Sequence, residues 1–243
     1  MSATLTELRE RHLDTATNLN DLASLYNSQG RYSEAEPLFV EALDIWQTEL
    51  GGRHPNTAQG LNNLAELYRS QGRYSEAVPL FVKTLEIKQT ELGDHHPDTA
   101  TSLNNLALLY CSQGRYNEAE PHFIKVLDVR QAALGERHPD TARSLNNLGG
   151  LYHSQCRYSE AEPLFVEALE IWQATLGERH PDTAASLSNL AALYYQTQRY
   201  QQALAYIQQA LYIYISTLGP EHPTTQSAQN WLAPIQQAID GVY

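Results

Sequence analysis

A short turn signature, SQGRY, returns every 42 residues along this 243-residue chain, at Ser28–Tyr32, Ser70–Tyr74 and Ser112–Tyr116. It decays to SQCRY at 154–158 and to TQRY at 197–200. Between the turns a second marker, HPDTA or a near copy, begins at His54, His96, His138, His180 and His222. Self-similarity at such a period marks a stacked repeat array, in which no unit buries its apolar face alone and each lies against its neighbours. Arrays of this kind act through a long shared surface rather than through one catalytic pocket.

The second unit shows the physics of all of them. Leu61, Leu64, Ala65, Leu67 and Tyr68 form one apolar stripe at helical spacing. Gln71-Gly72-Arg73 interrupts it, and a glycine just past a helix closes the last turn in the left-handed conformation at little steric cost. Tyr74, Ala77, Leu80, Phe81, Leu85 and Ile87 then rebuild an apolar face on a second helix. So short a break makes the two helices antiparallel neighbours. Ser33-x-x-Glu36 and Ser159-x-x-Glu162 have the spacing of a capping box. Pro37, Pro79, Pro121 and Pro163 fit in or just past a first turn, and Pro55, Pro97, Pro139 and Pro181 fit a first helical position. Cys156 and Gln198 replace the turn glycine; if the left-handed conformation is kept there, each costs about 1 kcal/mol relative to glycine.

The spaced Leu22, Ala23, Tyr26, Gly30, Tyr32, Ala35, Phe39 and Ala42 resemble the tetratricopeptide repeat (TPR). The long unit, with its NNLAxLYxSQGRYxEAEPLF and LGxxHPDTA segments, is similar to the repeats of kinesin light chains and their bacterial relatives. The resemblance covers about residues 6 to 239. It implies an all-α, right-handed superhelical solenoid of antiparallel helix pairs. The repeats fall at 13–54, 55–96, 97–138, 139–180 and 181–222, followed by a capping helix and tail at 223–243 that runs as one helix through Trp231, Leu232 and Ile235. Residues 1–12 align with the end of a unit, Thr6-Glu7-Leu8-x-x-Arg11-His12 matching Thr48-Glu49-Leu50-x-x-Arg53-His54. They read as the remnant of a preceding repeat's second helix, so the chain is expected to be a piece of a longer array or to have lost an upstream unit.

Composition narrows the function classes. With 28 acidic against 16 basic residues the formal charge is −12, and no basic stripe exists for nucleic acid or an anionic membrane. No stretch approaches eighteen apolar residues, and the first residues lack the basic-then-apolar plan expected of a signal peptide. A cytoplasmic location is expected, and the two unrelated cysteines, Cys111 and Cys156, fit reduced thiols there. The recurrent histidines stand at helix starts without ligand-spaced partners, which points to capping or packing rather than metal. No nucleophile elbow, phosphate loop or paired-carboxylate pocket appears, so neither an enzyme nor a cofactor is expected.

The candidate binding residues lie on the first helix of each pair. An asparagine ladder reads Asn62-Asn63, Asn104-Asn105 and Asn146-Asn147, with Asn20-Asp21 before it and Ser188-Asn189 after it. The resemblance implies that first helices line a concave groove and that groove asparagines there hold peptide backbone. A carboxamide both donates and accepts, so it pairs with a peptide N–H and C=O whatever the sequence. The alternative is that these amides bond neighbouring helices and merely define the repeat. Positions that vary between units would set specificity: Glu66, Arg69, Leu108, Arg143, Gly150, His153 and Tyr195, with Leu108, Gly150 and Ala192 leaving room for a bulky side chain. The expected function is a non-catalytic interaction scaffold for an extended peptide or a partner helix. A second possibility is a homodimer assembled through an uncapped N-terminal face at Leu13, Leu19 and Leu22.

Overall fold

The computed structural model describes residues 2–241; Met1, Val242 and Tyr243, which the repeat boundaries above include, lie outside the described residues. Among the described residues there are twelve helices and no strand. Ten helices come first, and eight of them form antiparallel pairs: α1 (Ser2–Ser28) with α2 (Tyr32–Leu50), α3 (Pro55–Ser70) with α4 (Tyr74–Leu92), α7 (Pro139–Ser154) with α8 (Tyr158–Thr175), and α9 (Pro181–Gln196) with α10 (Tyr200–Leu218); α5 (Pro97–Ser112) and α6 (Tyr116–Leu134) lie between α4 and α7 in the chain. Two short helices, α11 (Pro223–Gln229) and α12 (Leu232–Asp240), close the series. The chain divides within α6 into two compact units, Met1–His122 and Phe123–Tyr243.

Each turn inside a pair is a Schellman closure. Gly30 takes φ 73°, its N–H reaches Asn27 O at 3.0 Å, and the Arg31 N–H reaches Tyr26 O at 2.9 Å. Cys156 and Gln198 keep the same hydrogen bonds at φ 60° and 62°, so both non-glycine residues are held in the left-handed region. Between pairs, His54, His96, His138 and His180 are the N-caps, each Nδ1 accepting from the backbone N–H two residues on at 3.1 Å, with proline at the first helical position. The buried threonine of the same marker adds a latch: Thr57 donates to Gly51 O and Thr141 to Gly135 O, both at 2.8 Å.

The core sits between paired helices. In the first unit Phe39, Leu61, Leu64 and Leu67 pack with Ala23 and Ala35, and Ala16, Ala42 and Trp46 form a second cluster. In the second unit Phe165, Leu187, Leu190, Leu193 and Ile207 form the main cluster, closed by Ala228, Ile235 and Ile239 of the terminal helices. The alanines are fully buried, which lets backbones approach closely while each large side chain contributes about 1.5–3 kcal/mol through burial.

Three details differ from the sequence expectations. Ser33 and Ser159 do not cap: Arg31 and Arg157 hold the N-cap positions without a side-chain cap bond, because the residue closing one helix already begins the next. The capping-box glutamates Glu36 and Glu162 instead accept from Arg73 at 2.7 Å and Arg199 at 2.8 Å, one repeat on. The lone C-terminal helix is two helices, since Pro234 has no N–H for the Asn230 carbonyl and its ring crowds that turn. Finally, residues 2–12 run unbroken into α1, because Arg9-Glu10 and Leu13 stand where Gly51-Gly52 and Pro55 break the chain one period later. This extension ties to the end of α2 through Arg9 and Glu49, and through His12 Nδ1 to Glu49 Oε1 at 2.9 Å.

Candidate interaction surface

The first helices carry the predicted ladder, and its amides pair across repeats. In the first unit Asn63 Nδ2 donates to Asn20 Oδ1 at 2.8 Å and Asn105 Nδ2 donates to Asn62 Oδ1 at 3.2 Å. In the second, Asn189 Nδ2 donates to Asn146 Oδ1 at 2.9 Å. The later asparagine of one repeat thus bonds the earlier position of the preceding one. Gln59 Nε2 adds a bond to Asn63 Oδ1 at 2.9 Å, and Ser186 Oγ reaches Asn146 Oδ1 at 3.4 Å. Asn62, Asn105, Asn146, Asn147 and Asn189 are half-buried, whereas Asn104 is only 8 % exposed and has the least to offer a ligand. A carboxamide has two donors and two acceptor lone pairs. Asn62 and Asn146 spend an oxygen on the neighbouring helix, and each nitrogen keeps its two hydrogens for another partner.

The variable positions fall on both units. On α3, Glu66 and Arg69 pair with each other at 2.8 Å, which cancels their charges locally. Leu108 on α5 is half-buried. On α7, Arg143 is bound to Asp140 at 2.7 Å and lies 3.9 Å from Asp182 of α9. Gly150 faces open space, with nothing within 4 Å of where a Cβ would stand. His153 is half-buried beside the Ala192 backbone and the Tyr158 ring; burial lowers its pKa, an effect the Ala192 carbonyl partly opposes. Tyr195 packs on Tyr200 and edge-on to Trp231, so part of its ring serves the terminal helices.

Sequence reasoning overlooked the arginine of each turn. Arg73 stacks 4.0 Å over the Tyr68 ring, grips Glu76 with two bonds of 2.7 Å and reaches Glu36 in the repeat before. Its pKa is raised, first by Glu76 and then by Glu36, while Glu76 is held below the usual carboxylate range by the same bond. Arg199 repeats the clasp over Tyr194 and binds Glu162, and burial followed by the Glu162 bond pushes the Tyr194 phenol up to about 12. The signal was present, since an arginine closes all five turns, but it read as part of a turn signature. Arg130 was also missed. Buried where Trp46 and Trp172 stand in other repeats, it donates to Asp140 O at 3.2 Å and Ser144 Oγ at 3.0 Å.

Among the described residues no cluster of three His, Cys, Asp or Glu side chains is arranged to hold a metal ion, and no helix is long and apolar enough to cross a membrane. Paired helices joined by left-handed turns and tied sideways by amide bonds define a helical solenoid. The tetratricopeptide repeat profile matches residues 14–90, 61–123, 98–174, 145–216 and 182–233. The chain belongs to the tetratricopeptide repeat family, whose members are generally protein-interaction scaffolds. Its structural neighbours are kinesin light chain-like. They include kinesin light chain-type, nearly identical TPR-like repeats from Podosopora anserina, with 27 % identity, TM-score 0.72 and coverage of 85 % of this chain and 98 % of that one. Another is BtubC (BKLC) from P. vanneervenii, a bacterial protein, with 26 % identity, TM-score 0.71 and coverage of 89 % and 92 %. No curated protein matches the sequence.

Proposed function

We propose that this chain is a non-catalytic, cofactor-free cytoplasmic scaffold that takes an extended peptide or a partner helix along its first-helix face. The supporting observation is the state of the ladder: Asn62 and Asn146 are held by Asn105 and Asn189 through their oxygens, so their N–H groups are fixed in direction before a ligand arrives. Fixed donors bind with less ordering cost than mobile ones. Packed helices lie about 8–10 Å apart and an extended peptide advances about 3.3 Å per residue, so successive rungs meet roughly every third residue. Asn63, Asn104, Asn105, Asn147 and Asn189 complete the row, and Glu66, Arg69, Leu108, Arg143, Gly150, His153 and Tyr195 set its selectivity.

Asn62→Asp with Asn146→Asp tests the reading, because each variant keeps the accepting oxygen and removes the outward donor. Affinity capture from cell lysate should lose its partners while circular dichroism stays unchanged. Recovery of the same partners at the same yield refutes it. A second reading, self-association, draws on Leu8, Leu22 and Leu25 of α1, exposed by 48 %, 40 % and 52 %. Leu13 and Leu19 belong to the core cluster around Ala16 and Trp46, so the open face is smaller than the sequence suggested. Light scattering across concentration, with Leu22→Gln/Leu25→Gln as control, separates the two.

A further inference from the structure

Each repeat position is written five times, so the array supplies its own reference for what is unusual. At one solvated position four second helices carry an acid, Asp44, Glu86, Asp128 and Glu170, and all four are exposed. Three residues on they carry Gln47, Gln89, Gln131 and Gln173. In α10 these become Tyr212 and Ile215, 60 % and 43 % exposed, followed by Leu218 at 36 %. Packing does not account for the exchange, because the first of these positions is exposed in all five repeats. Moreover, α10 contains no charged residue at all.

Beside this stripe lies a cleft of about 610 Å³, lined by Leu187, Ala205 and Ile213 together with Gln173 and Gln209. Glu178 and Arg179 of the preceding loop stand at the same cleft. In the second repeat the matching cleft holds Arg53 together with Glu86. In the fifth, the counterpart of Glu86 is Tyr212, and Arg179 lies 5.9 Å from its ring centre. A cation that in the second repeat shares its cleft with Lys83 and a helix carboxylate here stands beside Glu178 of its own loop and an aromatic face; it forms no ion pair among the described residues, which leaves it able to receive a carboxylate from outside.

We propose that this stripe and cleft dock an amphipathic helix of a partner protein, with apolar side chains every three to four residues and a carboxylate placed for Arg179. Tyr212, Ile215 and Leu218 span about 9 Å of helix, less than two turns. Their exposed surface is roughly 300 Å², well short of the about 800 Å² per partner that a stable interface buries. A net charge of −12 also sets two copies of the chain against each other, so a short segment fits where a second copy does not. The site is separate from the asparagine row, which lies on the first helices.

The probe is a fluorescein-labelled fourteen-residue synthetic peptide with leucines at i, i+3, i+7 and i+10, one glutamate placed for Arg179 and lysines elsewhere on its polar face, followed by anisotropy at physiological salt. Tyr212→Glu/Ile215→Gln gives repeat five the residues the other repeats carry; it should weaken binding at least ten-fold with an unchanged circular dichroism spectrum. Arg179→Glu should weaken the glutamate peptide and favour a lysine version. Asn105→Ala/Asn147→Ala should change nothing. The proposal is overturned if the restored variant binds as tightly as the wild type, if the asparagine variant abolishes binding, or if the peptide fails to bind at millimolar concentration.

Discussion

Replacing Gln198 by glycine should make the protein more stable, although it removes a side chain and loosens the backbone. Gln198 sits at φ 62° in the turn between α9 and α10, and its side chain is exposed. Holding a non-glycine residue there costs about 1–2 kcal/mol. Glycine relieves that cost, but the greater freedom it gives the unfolded chain takes back about 0.4–1 kcal/mol. The net gain is about 0.5–1 kcal/mol. Cys156→Gly, at φ 60° one period earlier, should give a similar amount, and the two should add because the sites share no partner. Both lie in the second unit with Trp172 and Trp231, whereas Trp46 lies in the first. Urea melts followed by fluorescence of single-tryptophan versions should therefore show the gain at Trp172 and Trp231 and little at Trp46. The mirror substitution, Gly72→Ala at φ 73°, should lose about 1 kcal/mol. A neutral or destabilising Gln198→Gly together with a harmless Gly72→Ala would show that strain at the turn does not govern local stability.

Trp172 donates its indole N–H to Pro139 O at 3.0 Å, while the buried indole N–H of Trp46 has no partner. Trp172→Phe should therefore cost about 1 kcal/mol more than Trp46→Phe in urea melts followed by circular dichroism. Gly150→Ala meets open space inside a helix and should stabilise by about 0.5–1 kcal/mol, whereas Gly149→Ala should gain less, since its Cβ would lie 2.9 Å from the Phe165 ring. Glu34, Glu76, Glu118 and Glu160 are all held below the ordinary carboxylate range by their turn arginines. Because the folded pKa is the lower one, this support is complete above the unfolded value and is lost as pH falls through the folded one. Thermal melts should thus show a first, smaller loss as pH falls below about 6.5, where His122 and His153, whose burial lowers their pKa, bind protons more readily in the unfolded chain, and a further decline below about pH 4.5 from the glutamates, less steep in Arg73→Met.

What the sequence disclosed, and what it withheld, follows from the range of each interaction. The helix pairs were legible because the Leu–Ala–Tyr stripe and the turn glycine act within one repeat. The strained backbone at Cys156 and Gln198 was legible too, since the Schellman bonds depend on register and tolerate a change of side chain. The capping boxes failed because Ser33 competes with a turn so tight that Arg31 ends one helix and begins the next, a matter of chain geometry rather than residue type. The unbroken α1 was written in the absence of Gly-Gly and Pro around residue 12, a signal masked by the otherwise good alignment of residues 6–12 with 48–54. Which amide of the ladder turns to which helix was not legible at all. It depends on the rotation of one repeat against the next, and the Asn63–Asn20, Asn105–Asn62 and Asn189–Asn146 bonds record that rotation. The outward tyrosine of α10 falls between these cases. Tyr212 replaces an acid in plain sight, but a tyrosine among fifteen carries no message until the structure shows that its position is exposed in every repeat. In a repeat array, then, periodic residues report the fold, and a departure from the period reports function only at positions that packing leaves free.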